Sequence, residues 1–258
     1  MSQELQKVTL VVPCYNEAQR LDAAAFVAMI DRDPALSIML VDDGSRDGTS
    51  ALHADMVARR PGRIEALALP RNRGKAEAVR QGLLTALKGP AAVVGFMDAD
   101  LATPTAEMER LCAILCDRKD CDVLLGSRVQ MLGRLITRRP LRHYLGRAFA
   151  TAASLVLRLP VYDSQCGAKL FRRTAALARA LERPFLSRWI FDVELLSRLV
   201  TRAADTTPIP PERIREEPLE RWTDCVGSKL GSWQILPSLL DLVRIEIEAR
   251  RRRAGAKP

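Results

Sequence analysis

The chain is 258 residues long and 48% hydrophobic, enough for one catalytic-sized domain with a substantial core and room for a small appendage. Its 40 lysines and arginines against 31 aspartates and glutamates give a net charge of +9, which favours anionic partners: phosphates, nucleic acid or acidic lipid. No apolar segment approaches the roughly 20 residues that a membrane span needs, so a spanning role is excluded and any membrane contact is expected to be peripheral.

The first residues, MSQELQKVTLVVP, lack the basic region of a signal peptide and carry an apolar run of only strand length, so the expectation is a cytoplasmic protein. In chain order, VTLVV (8–12) is followed by PCYNE and a helical pattern, EAQRLDAAAFVAMI, and SIMLV (37–41) by DDGSRDGT. IEALAL (64–69) precedes PRNRGK and a second helical pattern, KAEAVRQGLLTAL. AAVVGFM (91–97) runs into DADLATP, and DVLLG (122–126) closes the series. Strand and helix alternate, which predicts a parallel sheet with helices on both faces. In such sheets ligands bind outside the carboxyl ends of the strands, and the residues there are acidic and polar. No GxGxxG follows the first strand, which argues against a dinucleotide-binding domain; the glycine-rich phosphate loop of a nucleotidyltransferase is missing there too.

From about Arg128 the alternation dissolves into RVQMLGRLITRRPLRHYLGR, with six arginines and no acid between 128 and 147. The apolar stretch beyond it, AFATAASLVL from Ala148, is stopped by Arg158. PIPPERIREEP (208–218) reads as an irregular connection, and the last 25 residues as a helix ending in RRRR. The arginine-rich segment and the final helix, WQILPSLLDLVRIEIEARRRR, suit an interfacial role in which arginines hold anionic lipid. The alternative is two helices packed on the core with solvated charged faces. The expected organisation is a catalytic domain over residues 1–230 and a basic amphipathic helix and tail over 231–258. The six cysteines, at 14, 112, 116, 121, 166 and 225, form no CxxC pair. Spacing at Cys112, Cys116 and Cys121 is poor for zinc, and reduced core thiols are the better reading.

The stretch GFMDADLATP (95–104) sets Asp98 and Asp100 two residues apart, so in an extended chain both project to one side. Adjacent carboxylates repel unless a cation or shared proton lies between them, and a hard divalent ion, Mg or Mn, would neutralise the pair while holding a diphosphate. The bland alternative is a turn into a helix with Thr103 as N-cap and Pro104 at the first helical position, which accounts for those two residues alone. In VDDGSRDGT, Asp42 or Asp43 could accept a base N–H, or Asp43 and Gly44 could simply form an Asx turn. Glu17 could take ribose hydroxyls or a second base contact. Arg73 and Lys75 stand at a helix start, where cations oppose the helix dipole and suit an anionic ligand nearby.

Together, VTLVVPCYNE, VDDGSRDGT, NRGKAEAVRQGL, DADLATP, GSR and DSQCGAKLFRR, in this order, resemble the family 2 glycosyltransferases of the GT-A fold, over roughly residues 8–245. DSQCGAKLF, RWIFDVELL and VGSKLGSWQ are similar to the dolichyl-phosphate β-glucosyltransferase branch, with the dolichyl-phosphate mannose synthases as near relatives. The resemblance implies a Rossmann-like, mostly parallel α/β sheet flanked by helices, with C-terminal amphipathic helices. It also implies inverting, metal-assisted transfer of a hexose, glucose from UDP-glucose, to a polyprenyl phosphate such as dolichyl or undecaprenyl phosphate at a membrane surface. GDP-mannose as donor and a sugar hydroxyl as acceptor stay open.

Matched motif by motif, the resemblance implies that Pro13, Tyr15, Glu17, Val41 and Asp43 hold the nucleoside, while Asp98, Ala99 and Asp100 face ribose, diphosphate and metal. Arg128 of GSR, Lys169 of CGAK and Lys229 of GSK would reach donor or acceptor phosphates. Ala102 stands where mannose synthase relatives often carry a metal-ligating Gln, which leaves the metal mainly to Asp100 and the diphosphate; Ala168 replaces the Phe of CGFK. Asp100 with its cation and Arg128 would stabilise the leaving group. Asp192 of FDVE stands where related transferases with hydroxyl acceptors carry a base, or else Asp192 and Glu194 are favourable charges at a helix start. A lipid phosphate, largely dianionic at neutral pH, requires no base. A nucleic-acid-binding module would interleave its arginines with aromatics; with aromatics at 5% and the arginines clustered without them, no nucleic-acid partner is expected.

Overall fold

The computed structural model describes residues 6–137, 140–202, 206–224 and 235–255. Four strands, β1 (Val8–Cys14), β2 (Leu36–Asp42), β3 (Ile64–Ala68) and β4 (Val93–Met97), lie parallel and side by side in the order β3-β2-β1-β4. They are joined through α1 (Ala23–Arg32), α2 (Thr49–Arg59) and α3 (Lys75–Ala86), and α4 (Thr105–Asp117) leads on to β5 (Val123–Ser127). The strands read as continuous apolar runs because both faces are covered. Leu10, Val12, Ile38 and Leu40 pack against Phe26, Met29 and Met56 of α1 and α2 and Leu111 of α4. Val11, Met39, Val41 and Phe96 face Val79 and Leu83 of α3 on the other side.

After β5 come β6 (Leu135–Thr137), α5 (Pro140–Leu157), β7 (Ala168–Arg172), α6 (Ala175–Leu181), α7 (Phe191–Val200), β8 (Ile214–Pro218), β9 (Arg221–Thr223) and α8 (Ile235–Gly255). The seven-stranded sheet runs β3-β2-β1-β4-β7-β5-β8, and β6 pairs with β9 apart from it. β7 is antiparallel to both neighbours, so the sheet is mixed, where alternation alone predicts a parallel one. β7 escapes sequence reading because its five residues, AKLFR, include a lysine among the buried positions. β8 falls inside the segment expected to be irregular. It is a charged edge strand whose carboxylates bond across the fold: Glu216 accepts from the Tyr162 and Asp163 amides, and Glu217 pairs with Arg110.

Two helix starts differ from the sequence expectation. α1 begins at Ala23, where the Asp22 carboxylate caps the Ala25 amide, while the chain from Glu17 makes a turn closed by the Arg20 and Leu21 amides on the Glu17 carbonyl. α4 begins at Thr105 with Pro104 as N-cap, one residue later than expected, and Thr103 is buried. α8 packs against α5 and α7 through Leu242, Ile245 and Ala249. The domain division expected at residue 230 lies outside the described residues, as do Lys229 and Cys225.

Candidate active site

The strand order reverses between β1 and β4, so the loops that follow them part and leave a crevice at the carboxyl ends. PCYNE and DADLATP border it. The β1 and β2 loops are locked to each other: the Asn16 amide donates to Ser45 Oγ at 2.9 Å, and the Arg46 amide donates to Asn16 Oδ1 at 2.9 Å. Asn16 has φ of +52°, a left-handed conformation that asparagine tolerates better than most residues. Gly44, at φ +69°, lies so close to the backbone of Arg71 that a Cβ would be 2.5 Å from its carbonyl carbon. The 43–48 and 70–74 loops can therefore meet only over a glycine.

The second-strand acids serve as staples. Asp43 accepts from the Arg73 and Gly74 amides, both at 2.7 Å, and fixes the turn into α3. Burial pushes the Asp43 carboxyl above its ordinary range despite these bonds. Asp42 accepts from the Ser45 amide and the Ser50 hydroxyl; burial opposes its charge, but the bonds from Ser45 and Ser50 outweigh it and hold the pKa down. Glu17 is buried and takes a two-pronged contact from Arg20, at 2.8 and 3.0 Å. Pro13 pairs with Val41 in the sheet register, and Tyr15 follows the strand at half-buried depth. Val41 itself is fully buried against the face of α3, beside Gly82, so its side chain belongs to the core beneath the site.

Asp98 sits at the end of β4, its amide bonded to the Gly167 carbonyl. A Cβ at Gly167 would overlap the Asp98 carboxylate, so this glycine forms the cradle in which the carboxylate lies. Lys75, the first residue of α3, places its ammonium 2.5 Å from Asp98 Oδ1. Burial works to lower the Lys75 pKa, but the charges of Asp98, Asp192 and Asp100 outweigh it and raise it. Asp100 accepts from the Ala102 amide at 3.1 Å. Burial first, and then the charge of Asp98, lifts the Asp100 carboxyl above its usual range. Ala99, between the two acids, is buried, and Leu101 after them has φ of +52°, a strained setting for a bulky side chain.

Beyond β4 the charges come in pairs. Arg128 donates through Nε and Nη2 to the two oxygens of Asp163, at 2.7 and 2.8 Å, and lies 5.2 Å from the centre of the Trp222 ring. Burial disfavours its charge, yet Asp163 more than compensates, and the guanidinium stays protonated. Lys169 is fully buried. Its ammonium donates to Asp192 Oδ1 at 2.6 Å and to the Cys166 carbonyl, so as placed it secures Asp192 where a phosphate contact was expected. Glu194, expected only to favour a helix start, accepts from the Leu186 and Ser187 amides and pairs with Arg198 at 2.6 Å. Sequence reasoning missed Asp163, Gly167, the bonding of Arg188 to Asn72, and the Ser127 and Ser164 hydroxyls, which are buried without a hydrogen-bond partner among the described residues. The available signal was that Asp163, Ser164 and Gly167 lie within DSQCGAK and Ser127 within GSR.

Among the described residues no three His, Cys, Asp or Glu side chains cluster as a metal site. The DxD pair nonetheless fits a divalent cation: the charges of both carboxylates act on one ammonium, which stands beside Asp98 in the role of a cation. Cys14, Cys112, Cys121 and Cys166 are buried free thiols.

The profile of glycosyl transferase family 2 matches residues 9–178. A dolichyl-phosphate beta-glucosyltransferase of Trichomonas vaginalis is 31% identical over 255 residues, covering 94% of this chain and 71% of that protein. The human dolichyl-phosphate beta-glucosyltransferase is 32% identical over 258 residues, 94% of this chain and 75% of its own. Among solved structures, glucosyl-3-phosphoglycerate synthase from Mycobacterium tuberculosis, bound to Mn2+, UDP-glucose and phosphoglyceric acid, superposes with a TM-score of 0.67 at 15% identity, over 93% of this chain and 80% of that one. That likeness is one of fold, and it places the mixed seven-stranded sheet among GT-A structures.

Proposed function

The chain belongs to glycosyl transferase family 2, and from that premise we propose that it moves glucose from UDP-glucose to a polyprenyl phosphate, such as dolichyl or undecaprenyl phosphate, with inversion at the anomeric carbon. The observation that carries the acceptor class is the Lys169–Asp192 pair. A sugar hydroxyl must lose a proton as it attacks, and Asp192 stands where the base would be, yet its carboxylate is committed to a buried ammonium 2.6 Å away. The same ammonium also donates to the Cys166 carbonyl, so the carboxylate is fixed in the wall of the site by its lysine. A phosphate monoester, with a second pKa near about 6, is largely dianionic at neutral pH and attacks unaided. The names of the curated relatives support the same acceptor.

Pro13 near the end of β1, Tyr15 and Glu17 after it, and the loop stapled by Asp43 border the nucleoside subsite, with Ala99 beneath the ribose. A divalent ion, Mg or Mn, held by Asp98 and Asp100, would supply charge neutralisation of the leaving diphosphate. Arg128, oriented by Asp163, adds a fixed positive charge to the same end of the sheet; donors that need no reorientation stabilise developing charge most effectively. Asp192 and Lys169 position the wall opposite.

The acceptor's tail requires a lipid surface, and α8 offers one. Leu239, Leu240, Val243 and Ile247 share its outward face, at 42%, 56%, 57% and 46% exposure, with exposed Arg244 and Arg250 beside them. Leu155, on the adjoining α5, is also exposed. No described helix is long and apolar enough to cross a membrane. The reading is a peripheral enzyme at the cytoplasmic face, with α8 as both core helix and docking face.

The test is to offer the purified protein radiolabelled UDP-glucose or GDP-mannose with polyprenyl phosphate and Mg or Mn. Label from UDP-glucose should partition into the organic phase. Label confined to a water-soluble product, or supplied only by GDP-mannose, would replace this acceptor or this donor.

A further inference from the structure

Lys75 opens α3, where the helix dipole disfavours a cation, and its side chain is 36% exposed, so solvent was open to it. It turns instead to Asp98, with Asp100 and Asp192 as further negative charges acting on it. A divalent ion needs carboxylate oxygens at about 2.0 to 2.6 Å. An ammonium 2.5 Å from Asp98 Oδ1 stands in that shell, and two cations so close repel. The other side of the Asp98 carboxylate is packed into the Gly167 cradle. Asp100, the other DxD acid, accepts from the Ala102 amide through its Oδ1, and the Ala102 side chain contributes no ligand atom.

We infer that Lys75 is a built-in cation that keeps Asp98 from the metal until the donor arrives. The diphosphate of the nucleotide draws the ammonium away, for its flexible four-carbon stem lets the charge swing between acceptors, and Asp98 then becomes free for the metal. Metal and nucleotide thus enter as a coupled pair, each raising the affinity of the other by the same factor. The idea rests on the glycosyltransferase reading for the identity of the diphosphate, but its effect on metal binding does not.

The experiment measures Mn2+ binding to the full chain by the EPR signal of the free ion, with and without UDP, and UDP binding by calorimetry, for the wild type and Lys75→Gln. Wild type should bind Mn2+ at least about tenfold more tightly with UDP present. Lys75→Gln should bind Mn2+ alone about tenfold more tightly than wild type, bind UDP alone more weakly, and retain at most about a threefold coupling. These opposite signs separate the proposal from a structural role, in which loss of Lys75 would weaken both ligands. Lys75→Arg should restore the coupling, and Lys75→Met serves the same comparison should the glutamine variant fail to fold. Equal or weaker binding of Mn2+ alone by the neutral variants overturns the inference. If wild type binds no UDP at all, the UDP-glucose donor reading fails, and the Mn2+ comparison still decides the part played by Lys75.

Discussion

The acids of the loop after β2 answer mainly to backbone amides, whereas beyond β4 Asp163, Asp192 and Glu194 each answer to a cation. Asp42 takes the Ser45 amide, Asp43 those of Arg73 and Gly74, and Asp47 those of Ala18 and Thr49. On the other side Asp163 meets Arg128, Asp192 meets Lys169 and Glu194 meets Arg198. An acid bonded to amides fixes the path of a loop and leaves the ligand a preformed pocket. An acid bonded to a buried cation fixes a charge whose partner cannot be removed without exposing the cost of burying it. Asp98 lies on the border between the two halves and takes its cation from α3 of the first.

The largest effect should come at that border. Asp100→Asn removes charge from the proposed metal site with little change of size, and turnover should drop by about 10²-fold or more while the thermal midpoint barely moves. Near-normal turnover in a folded variant would remove the metal from this site. Next, the two kinds of acid should differ in stability. Lys169→Met leaves a buried carboxylate alone and should cost about 3 to 5 kcal/mol by chemical denaturation. Asp43→Ala, which strands two amides, should cost about 1 to 3 kcal/mol. Equal losses would erase the distinction between staple and pair.

A smaller effect concerns the surface. Truncating α8 would remove Ile245 and Ala249 from the core, so the docking face is better tested by Leu240→Ser with Val243→Ser, both exposed. Binding to anionic vesicles should weaken severalfold with the fold intact, and wild-type binding should fall with salt as the Debye length shortens from about 10 Å at 0.1 M to 3 Å at 1 M. Unchanged vesicle binding would exclude this face. The smallest effect belongs to His53, which is buried on α2 near Asp42 and Asp47. Burial lowers its pKa in the folded state, despite those carboxylates, so the unfolded chain takes up the proton first. Stability should be fullest above the unfolded value of about 6.5 and decline as pH falls below it, and His53→Leu should flatten that decline in the thermal midpoint. An equal slope in the variant would assign the decline to other groups.

The amide-stapled half was nearly all readable from sequence, because its strands are continuous apolar runs and its acids fall at their ends. Helix starts were less so: the helical pattern opens at Glu17, whereas α1 begins at Ala23 behind the Asp22 cap. The paired half was not readable, because its structure comes from contacts between distant residues. Lys75 and Asp98 are each conspicuous in sequence, but their contact depends on α3 packing across β4. Lys169 looks like a ligand-binding lysine until β7 is seen to run antiparallel and turn its side chain into the core beside Phe96. The charged edge strand β8 has no hydrophobic alternation to announce it.

The most direct measurement removes the Lys169–Asp192 pair as a unit. Lys169→Met with Asp192→Asn leaves neither charge stranded, and most of the stability lost in the single lysine variant should return. Transfer of glucose to polyprenyl phosphate by the double variant should stay within about tenfold of wild type, because a phosphate nucleophile needs no proton removed. A loss of about 10² to 10⁴ in kcat, with donor and lipid binding intact, would make Asp192 the general base and contradict the phosphate-acceptor mechanism.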